Sequence, residues 1–361
     1  MKKYLSLFLV LVMVLAISVG CSQQTAEDPK DQTPVEEPKE EEKEKEEAPA
    51  AGDAVKTGMA VISSIGKSKD AAADAEGNAQ VDSVVVAVMV DNDGKIVKAK
   101  IDTAQTKIGF SNEGKVTTDL ATVFKAKQDL GTEYGMSKAS KIGKEWNEQA
   151  NAFADYILGK TVEEIKGFKL DEETHLTDED ITASVTIKVG GYIEAIEKAV
   201  ANAQDLGAKA TDTLGLGVET TIGKSKDAAA DAEGVAQAYT HYVATTFDAD
   251  GKITSCVIDA SQSNVNFDVT GKITTDLAAP LKTKVELGDD YGMKSKSNIG
   301  KEWYEQADAF SKYVVGKTVE EVKGIAVDET GHATEADLTA SVTAGIGEFQ
   351  AMIEKAKSNA K

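Results

Sequence analysis

Apolar residues recur along this chain with two periods, one typical of strands and one typical of helices. Residues 83–90 are rich in valine and predict a strand, as do residues 239–247 further along. Residues 145–158 carry apolar side chains at helical spacing, which predicts a helix that ends at Gly159. The same spacing predicts a last helix over residues 189–203.

Turn sequences connect these elements. Asn92-Asp93-Gly94 and Ala249-Asp250-Gly251 each suit a tight hairpin, so residues 95–102 and 252–259 are predicted to be return strands. The segment after Gly114-Lys115 is helix-like, whereas Pro280 predicts a broken or irregular segment in the later copy. Thr161-Val162-Glu163-Glu164 has the form of a capping box and predicts a short helix.

The whole pattern occurs twice. The ten residues 65–74 (IGKSKDAAAD) return at residues 222–231, and the same shift carries Trp146 to Trp303. A repeat of this length is about the size of a domain. We therefore expect an α+β fold with two tandem homologous domains, each an antiparallel sheet with packed helices, at residues 55–204 and 214–361. The small residues of the linker, 205–213, leave open whether it is flexible or packed.

The N-terminus has the pattern of an export signal. Two lysines precede an apolar run, and small residues then lead to Cys21. Residues 1–21 are therefore predicted to be a lipoprotein signal peptide with Cys21 lipidated, the alternative being an ordinary secretory signal. Residues 22–54 are acidic and rich in proline, which predicts a disordered tether.

Composition excludes several functions. The formal net charge is −21 and the chain has no arginine, so it lacks the basic surface that nucleic-acid binding requires. Three histidines are too few for a His-based zinc site or a hydrolytic triad in each repeat. His175 and His332 are interpreted as surface residues and His241 as a strand residue. Cys256 corresponds to Ala99 in the other repeat and is predicted to be a small buried hydrophobic residue.

The run before each last helix combines hydroxyl groups and acids. It reads LTDEDITASVT over residues 176–186 and ATEADLTASVT over residues 333–343. Helix capping explains such a composition by itself, because Ser and Thr cap helices and acids suit the first turn.

This run also resembles the flavinylation motif of FMN-binding domains. In that family the last Thr carries FMN through a phosphoester bond made by an FMN transferase, which implies Thr186 and Thr343 as the acceptors. The resemblance implies a cofactor-binding role for the preceding residues of each motif as well, namely Asp180, Ala183, Ser184, Asp337, Ala340 and Ser341. The run departs from the family pattern at Thr182 and Thr339, where Gly is usual, and at Ile181 and Leu338, where Ser or Thr is usual.

The whole layout is similar to the flavin-carrying lipoproteins of Gram-positive extracellular electron transfer. That resemblance implies a carrier, rather than a substrate-specific enzyme, anchored by lipid to the outer face of the cell membrane with two covalent FMN groups. Its implied partners are an FMN transferase, a membrane NADH dehydrogenase with its quinones, and extracellular acceptors such as ferric iron or soluble flavins. The alternatives are a ligand-binding or adhesive surface lipoprotein without a redox cofactor, and a protein in which one repeat alone carries flavin.

The residues that would touch the flavin ring are less defined by sequence. The loop sequences Tyr134-Gly135-Met136 and Tyr291-Gly292-Met293 could line a flavin site or be ordinary loops. Trp146 and Trp303 lie on apolar helical stripes, which favours a core position over a flavin contact.

Overall fold

The computed structural model describes residues 53–361, and these belong to one compact unit with a mixed α+β fold. Cys21, the signal peptide and nearly all of the predicted tether lie outside the described residues. The elements of the first repeat are β1 (Lys56–Ser64), β2 (Gly77–Val90), β3 (Ile96–Phe110), β4 (Val123–Lys125), α1 (Lys127–Leu130), α2 (Trp146–Tyr156), α3 (Val162–Lys166), α4 (Glu179–Thr182) and α5 (Gly190–Ala201). Those of the second are β5 (Thr213–Thr221), β6 (Gly234–Phe247), β7 (Ile253–Phe267), α6 (Lys284–Leu287), α7 (Trp303–Val314), α8 (Val319–Lys323), α9 (Ala336–Thr339) and α10 (Gly347–Ser358). Two single-turn 3₁₀ helices, Gly131–Tyr134 and Gly288–Tyr291, follow α1 and α6.

The described strands form two antiparallel sheets. The first has the order β1-β2-β3, and the second has the order β4-β5-β6-β7, in which β4 of the first repeat joins the three strands of the second. The predicted hairpin strands are confirmed and are longer than predicted, because β2 begins at Gly77 and β3 continues to Phe110. The predicted helix over residues 145–158 is confirmed as α2, and the capping box at Thr161 is confirmed at the start of α3. The predicted last helix is confirmed as α5.

The valine run in β2 is explained by burial on both faces of the sheet. Val86 and Val88 pack into a core with α2 and α5, whereas Val85 and Met89 point to the opposite face. That opposite face packs against the second repeat, where Leu214, Leu216, Val218 and Tyr242 belong to the same cluster. A strand buried on both faces reads as a continuous apolar run rather than an alternating one.

Contacts between the repeats occur in reciprocal pairs. The ring of Phe110 stacks on its counterpart Phe267, with centroids 4.3 Å apart and an interplanar angle of 7°. The backbone N–H of Ala71 donates to Gly271 O at 2.8 Å, and that of its counterpart Ala228 donates to Gly114 O at 2.7 Å. Such exchange of equivalent contacts is the pattern of a two-fold, isologous interface. The repeats therefore pair with each other as two subunits of a symmetric dimer would.

The segment after Gly114-Lys115 corrects one prediction. It contains no helix before α1, because the Thr117 N–H donates to Gly109 O and the Thr118 hydroxyl accepts the Gly109 N–H, which holds the segment against β3. Its end, β4, pairs antiparallel with β5 of the second repeat. The counterpart of Val123 is Pro280, which lacks the N–H that a ladder needs, and residues 280–282 form no strand.

The linker between the repeats is packed. The Thr57 N–H donates to Gln204 O at 2.9 Å, and the Val55 N–H donates to Ala208 O at 3.1 Å. Ala208 and Asp212 are buried. Of the two readings that the sequence allowed for residues 205–213, the structure shows the ordered one.

Helix α5 lies very close to β1, a strand that the sequence pattern did not predict. A Cβ atom at Gly58 would overlap the carbonyl oxygen of Ala199 on α5, and one at Gly215 would overlap that of Ala356 on α10. Glycine is required for this approach, and it interrupts the apolar pattern that normally marks a strand.

Candidate functional site

The two motif threonines occupy equivalent turns, between α4 and α5 and between α9 and α10. The Thr343 N–H and hydroxyl both donate to Gln306 Oε1, at 2.8 and 3.2 Å, and the Ala344 N–H donates to the same oxygen at 2.9 Å. In the first repeat the Thr186 N–H and hydroxyl donate to Gln149 Oε1 at 2.8 and 3.0 Å. Each threonine is half-buried, and its hydroxyl is anchored by the glutamine.

The glutamines are fully buried on α2 and α7 and connect each turn to the loop before its helix. Gln306 Nε2 donates to Ser297 Oγ at 3.2 Å and to Lys301 O at 3.1 Å. Gln149 Nε2 makes the equivalent bonds to Ser140 Oγ and Lys144 O. A buried amide with satisfied donors and acceptors fixes the geometry of the groups it joins.

Thr343 lies on the wall of a cavity of about 520 Å³ in the second repeat. Much of the wall is aromatic, with Tyr239 and His241 from β6, Trp303 from α7, Phe349 from α10, and Tyr291. Met293, Lys296 and Glu348 also line it. Cavities of this size that combine an apolar wall with a few polar groups are typical of small-molecule and cofactor sites.

Lys284, the first residue of α6, points into the aromatic part of this cavity. Its Nζ lies 4.4 Å from the centroid of the Tyr239 ring, 4.8 Å from that of Tyr291 and 4.9 Å from that of Trp303. It also donates to Tyr239 Oη at 2.6 Å. The side chain is only 3 % exposed, and burial lowers the pKa of Lys284 to about 8. The first repeat has the equivalent Lys127, at 4.6 Å from the Tyr134 ring and 5.4 Å from the Trp146 ring.

A buried aspartate holds each of these lysines in place through the backbone. Asp259 Oδ1 accepts the N–H groups of Ala260 and Val285 at 2.7 and 3.1 Å, and Asp102 Oδ1 accepts those of Thr103 and Gln128 at 2.7 and 3.0 Å. Burial disfavours the charged carboxylate and raises the pKa of Asp259 to about 6 and that of Asp102 to about 7.

These raised pKa values predict how stability depends on pH. The folded protein keeps a proton on Asp102 that the unfolded chain, with a carboxyl pKa of about 3.9, has already released. The free energy of unfolding therefore falls as pH rises from about 4 to about 7, by up to about 1.4 kcal/mol per pH unit for this group. Asp102→Asn keeps an acceptor oxygen and removes the titration, so its stability should depend less on pH than that of the natural protein. Urea unfolding at about pH 5 and about pH 7 measures the difference.

The control for this experiment is Asp93→Asn, which changes an exposed carboxylate in the first hairpin turn. It is expected to leave the pH dependence unchanged. An equal pH dependence in Asp102→Asn and the natural protein would contradict the assignment of this titration to Asp102.

Loop residues next to the cavity are held by a second buried acid. Glu302 accepts the Met293 and Lys294 N–H groups at 2.8 and 2.9 Å, and Glu145 accepts the Met136 N–H at 2.8 Å. The glycine of each Tyr-Gly-Met sequence has positive φ, 74° at Gly135 and 76° at Gly292. Glycine adopts this conformation without strain, so the sequence places Tyr and Met on either side of a tight turn.

The structure brings together some of the residues proposed from the motif and separates others. Tyr291, Met293 and Thr343 line one cavity. Ala183 and Ala340 are exposed C-caps of α4 and α9, and Asp180 and Asp337 are exposed in the first turns of those helices. Ser184 Oγ accepts a hydrogen bond from Lys144 Nζ, whereas the Ser341 hydroxyl donates to Leu338 O. Tyr134 and Met136 pack at the edge of the first core.

The aromatic and imidazole side chains have mixed positions. Trp303 belongs to the core of the second repeat and also lines the cavity, so a core position and a flavin contact are compatible for this residue. Trp146 is buried in the core of the first repeat. His332 is half-exposed on the cavity wall, with Nδ1 at 2.7 Å from the Thr330 hydroxyl. His241 is a strand residue as predicted, but it faces the cavity, and burial lowers its pKa to about 3. Cys256 is buried as predicted, and burial raises the pKa of its thiol to about 12.

Sequence reasoning missed the two pairs Lys127 with Lys284 and Gln149 with Gln306. The signal available for the lysines was that they are identical in the two repeats although their neighbours differ, whereas Gln149 and Gln306 lie in a Trp-x-Glu-Gln-Ala sequence that both repeats share. Lys127-Gln128-Asp129, for example, becomes Lys284-Val285-Glu286. Tyr239 could not be found in this way, because its counterpart is Asp82.

Comparison with known proteins gives one short match. A stretch of 42 residues, 12 % of this chain, is 52 % identical to the protein named chlorophenol reductase from Desulfitobacterium hafniense, of which it covers 13 %. No family profile matches the chain, and no solved structure matches it. Within residues 53–361, no helix has the length and apolar character needed to cross a membrane, and no cluster of three metal-ligating side chains occurs.

Proposed function

We propose that this protein is a membrane-anchored extracellular electron carrier, with FMN joined covalently to Thr186 and Thr343. The observation that carries the proposal is the position of Thr343 on the wall of an aromatic cavity of about 520 Å³. An FMN-binding-domain-like fold for each repeat is part of the same proposal.

The side chains at the cavity suit a flavin. Tyr239, Tyr291 and Trp303 offer flat apolar surfaces for an aromatic ring system, and Met293 offers a polarisable contact. Lys284 offers the one buried cation of this wall. These five residues are the ones that would hold the isoalloxazine ring, and FMN would supply the electron-transfer chemistry.

Covalent attachment explains why a hydroxyl is needed at this place. A flavin held only by contacts would dissociate from an extracellular protein into a very large volume, whereas a phosphoester to Thr343 Oγ1 would retain it. The Gln306 amide already holds this turn in shape through three hydrogen bonds. The first turn of α10, which begins at Gly347, carries the positive end of the helix dipole, which favours an anion nearby. An FMN transferase would be the partner that forms the bond.

The remaining parts of the proposal concern delivery of electrons. A lipid on Cys21 would hold the protein at the outer face of the cell membrane. The acidic segment 22–54 would let the two repeats move between the electron donor and the electron acceptor. A membrane NADH dehydrogenase and its quinones would supply electrons, and ferric iron or soluble flavins would accept them. The protein would then act as a carrier rather than a substrate-specific enzyme.

A redox cycle tests this function. Protein produced together with an FMN transferase is expected to lose its visible flavin absorbance when membranes and NADH are added without oxygen, and to regain it when ferric iron is added. The double variant Thr186→Val with Thr343→Val is the control and should show neither change. Flavin that stays oxidised with the membranes, or stays reduced with ferric iron, would exclude the carrier role while leaving flavin attachment intact.

A further inference from the structure

Lys284 is a buried cation without an anionic partner. Its side chain is 3 % exposed, and no carboxylate oxygen in the described part of the chain lies within 4 Å of its Nζ. Its one hydrogen bond goes to the Tyr239 hydroxyl, at 2.6 Å. Lys355, by comparison, is partly buried and pairs with Asp129 at 2.8 Å and Glu219 at 3.2 Å. Buried lysines are rare in proteins unless they are paired.

The neighbouring carboxyl groups of Asp259 and Glu348 favour the charged lysine, but only from a distance greater than 4 Å. Asp259 Oδ1 accepts the backbone N–H groups of Ala260 and Val285, and burial raises the pKa of this carboxyl to about 6. Glu348 lies on the cavity lining but is exposed to water. The imidazole of His241 stays neutral, because burial lowers its pKa. At contact distance the ammonium group therefore meets three aromatic faces and one phenol oxygen, and no carboxylate of the described residues.

The sequence keeps the lysine and two of its aromatic neighbours in both repeats. Lys127 occupies the equivalent position, is also buried, and lies over the Tyr134 and Trp146 rings. A methionine would fill the same volume without the desolvation penalty of a charge. Folding alone gives no reason to retain a lysine here, so the reason lies in what the cavity binds.

We infer that Lys284 stabilises negative charge that the bound ligand gains within the cavity, and so sets how readily that ligand is reduced, and that Lys127 has the same role in the first repeat. The identity of the ligand rests on the proposed function. Two electrons from the quinone-linked donor and one proton from water convert an oxidised flavin ring into its reduced form with one negative charge. An ammonium group in a poorly hydrated aromatic wall favours that charged form strongly.

The test compares Lys284→Met with Lys296→Met. Lys296 lines the same cavity but is exposed, so it provides the same chemical change without the buried charge. Two properties are measured for each variant: the thermal unfolding temperature of the flavin-free protein, and the reduction potential of FMN in the Thr186→Val background, where the second repeat alone can carry it. Lys127→Met in the Thr343→Val background repeats the measurement for the first repeat.

Lys284→Met is expected to unfold at the same or a higher temperature without flavin, because a buried charge with no described carboxylate in contact is removed. Its bound FMN should be at least about tenfold harder to reduce, which is a potential about 30 mV more negative for a two-electron couple. Lys296→Met should change the potential much less, because the charge of Lys296 is exposed to water. An unchanged potential in Lys284→Met would overturn the inference.

The stability measurement separates this inference from the proposed function. If mass spectrometry finds no FMN on the natural protein, the proposed function fails. The thermal unfolding temperature of the flavin-free Lys284→Met protein then decides the role of the lysine. A Lys284→Met protein that is at least as stable as the natural one would still assign Lys284 to an anionic ligand of other chemistry. A Lys284→Met protein that unfolds at a clearly lower temperature would show that the lysine serves the fold, and would refute the inference.

Discussion

Protein that carries Thr186→Val and Thr343→Val together, and is produced with an FMN transferase, is expected to contain no covalent flavin. Valine has nearly the shape of threonine but no hydroxyl oxygen, so a phosphoester cannot form. The turn should persist, because the N–H groups of residues 343 and 344 still donate to Gln306 Oε1. Each single variant should lose one of the two FMN groups, as read from the mass and the visible absorbance of the unfolded protein.

Thr339→Val is the matched control for this experiment. It makes the same chemical change four residues before Thr343, where the hydroxyl donates only to the Ala336 carbonyl within α9. It should retain both flavins. Covalent flavin that survives in the double variant would show that Thr186 and Thr343 are not the acceptors.

The second large effect is expected at the contact between the repeats. Phe110→Ala should lower the free energy of unfolding by about 3–5 kcal/mol, because Phe110 is fully buried and its removal leaves a cavity. Phe267→Ala should have a similar effect. Urea unfolding of both single variants and the double variant gives their coupling. Because each single variant already loses the stacked contact, the double variant should lose about 0.5–1.5 kcal/mol less than the sum of the two separate losses.

The control for this second prediction is Phe153→Ala, in the core of the first repeat away from Phe267. It should lower stability by a comparable amount, but its effect should add to that of Phe267→Ala without coupling. Additive effects of Phe110→Ala and Phe267→Ala would contradict a direct contribution of the pair to the association of the repeats.

Local sequence signals predicted the parts of the fold that depend on local physics. The hairpin turns, the apolar stripe on α2 and the capping box at Thr161 each depend on a short stretch of sequence, and all three predictions were confirmed. Strand β1 was missed because Gly58 interrupts its apolar pattern, and the reason for that glycine is the close approach of α5. The helix expected before α1 was wrong because contacts with β3 override the local propensity of that segment.

The candidate site could be predicted only in outline. The motif led to Thr343, and the loop sequence led to Tyr291 and Met293, which share its cavity. The lysine and glutamine that shape the site come from α6 and α7, and only folding brings these elements to the motif. The packing of one repeat on the other was also beyond the sequence pattern, because no local signal distinguishes a strand buried by helices from one buried by a second sheet.

The central claim is that each repeat carries one covalent FMN, and the intact mass of the protein tests it most directly. The protein would be produced together with an FMN transferase, unfolded to release any flavin that is not covalently bound, and measured by mass spectrometry. The account predicts a mass increase equal to two FMN groups less two water molecules. An unmodified mass under these conditions would contradict it.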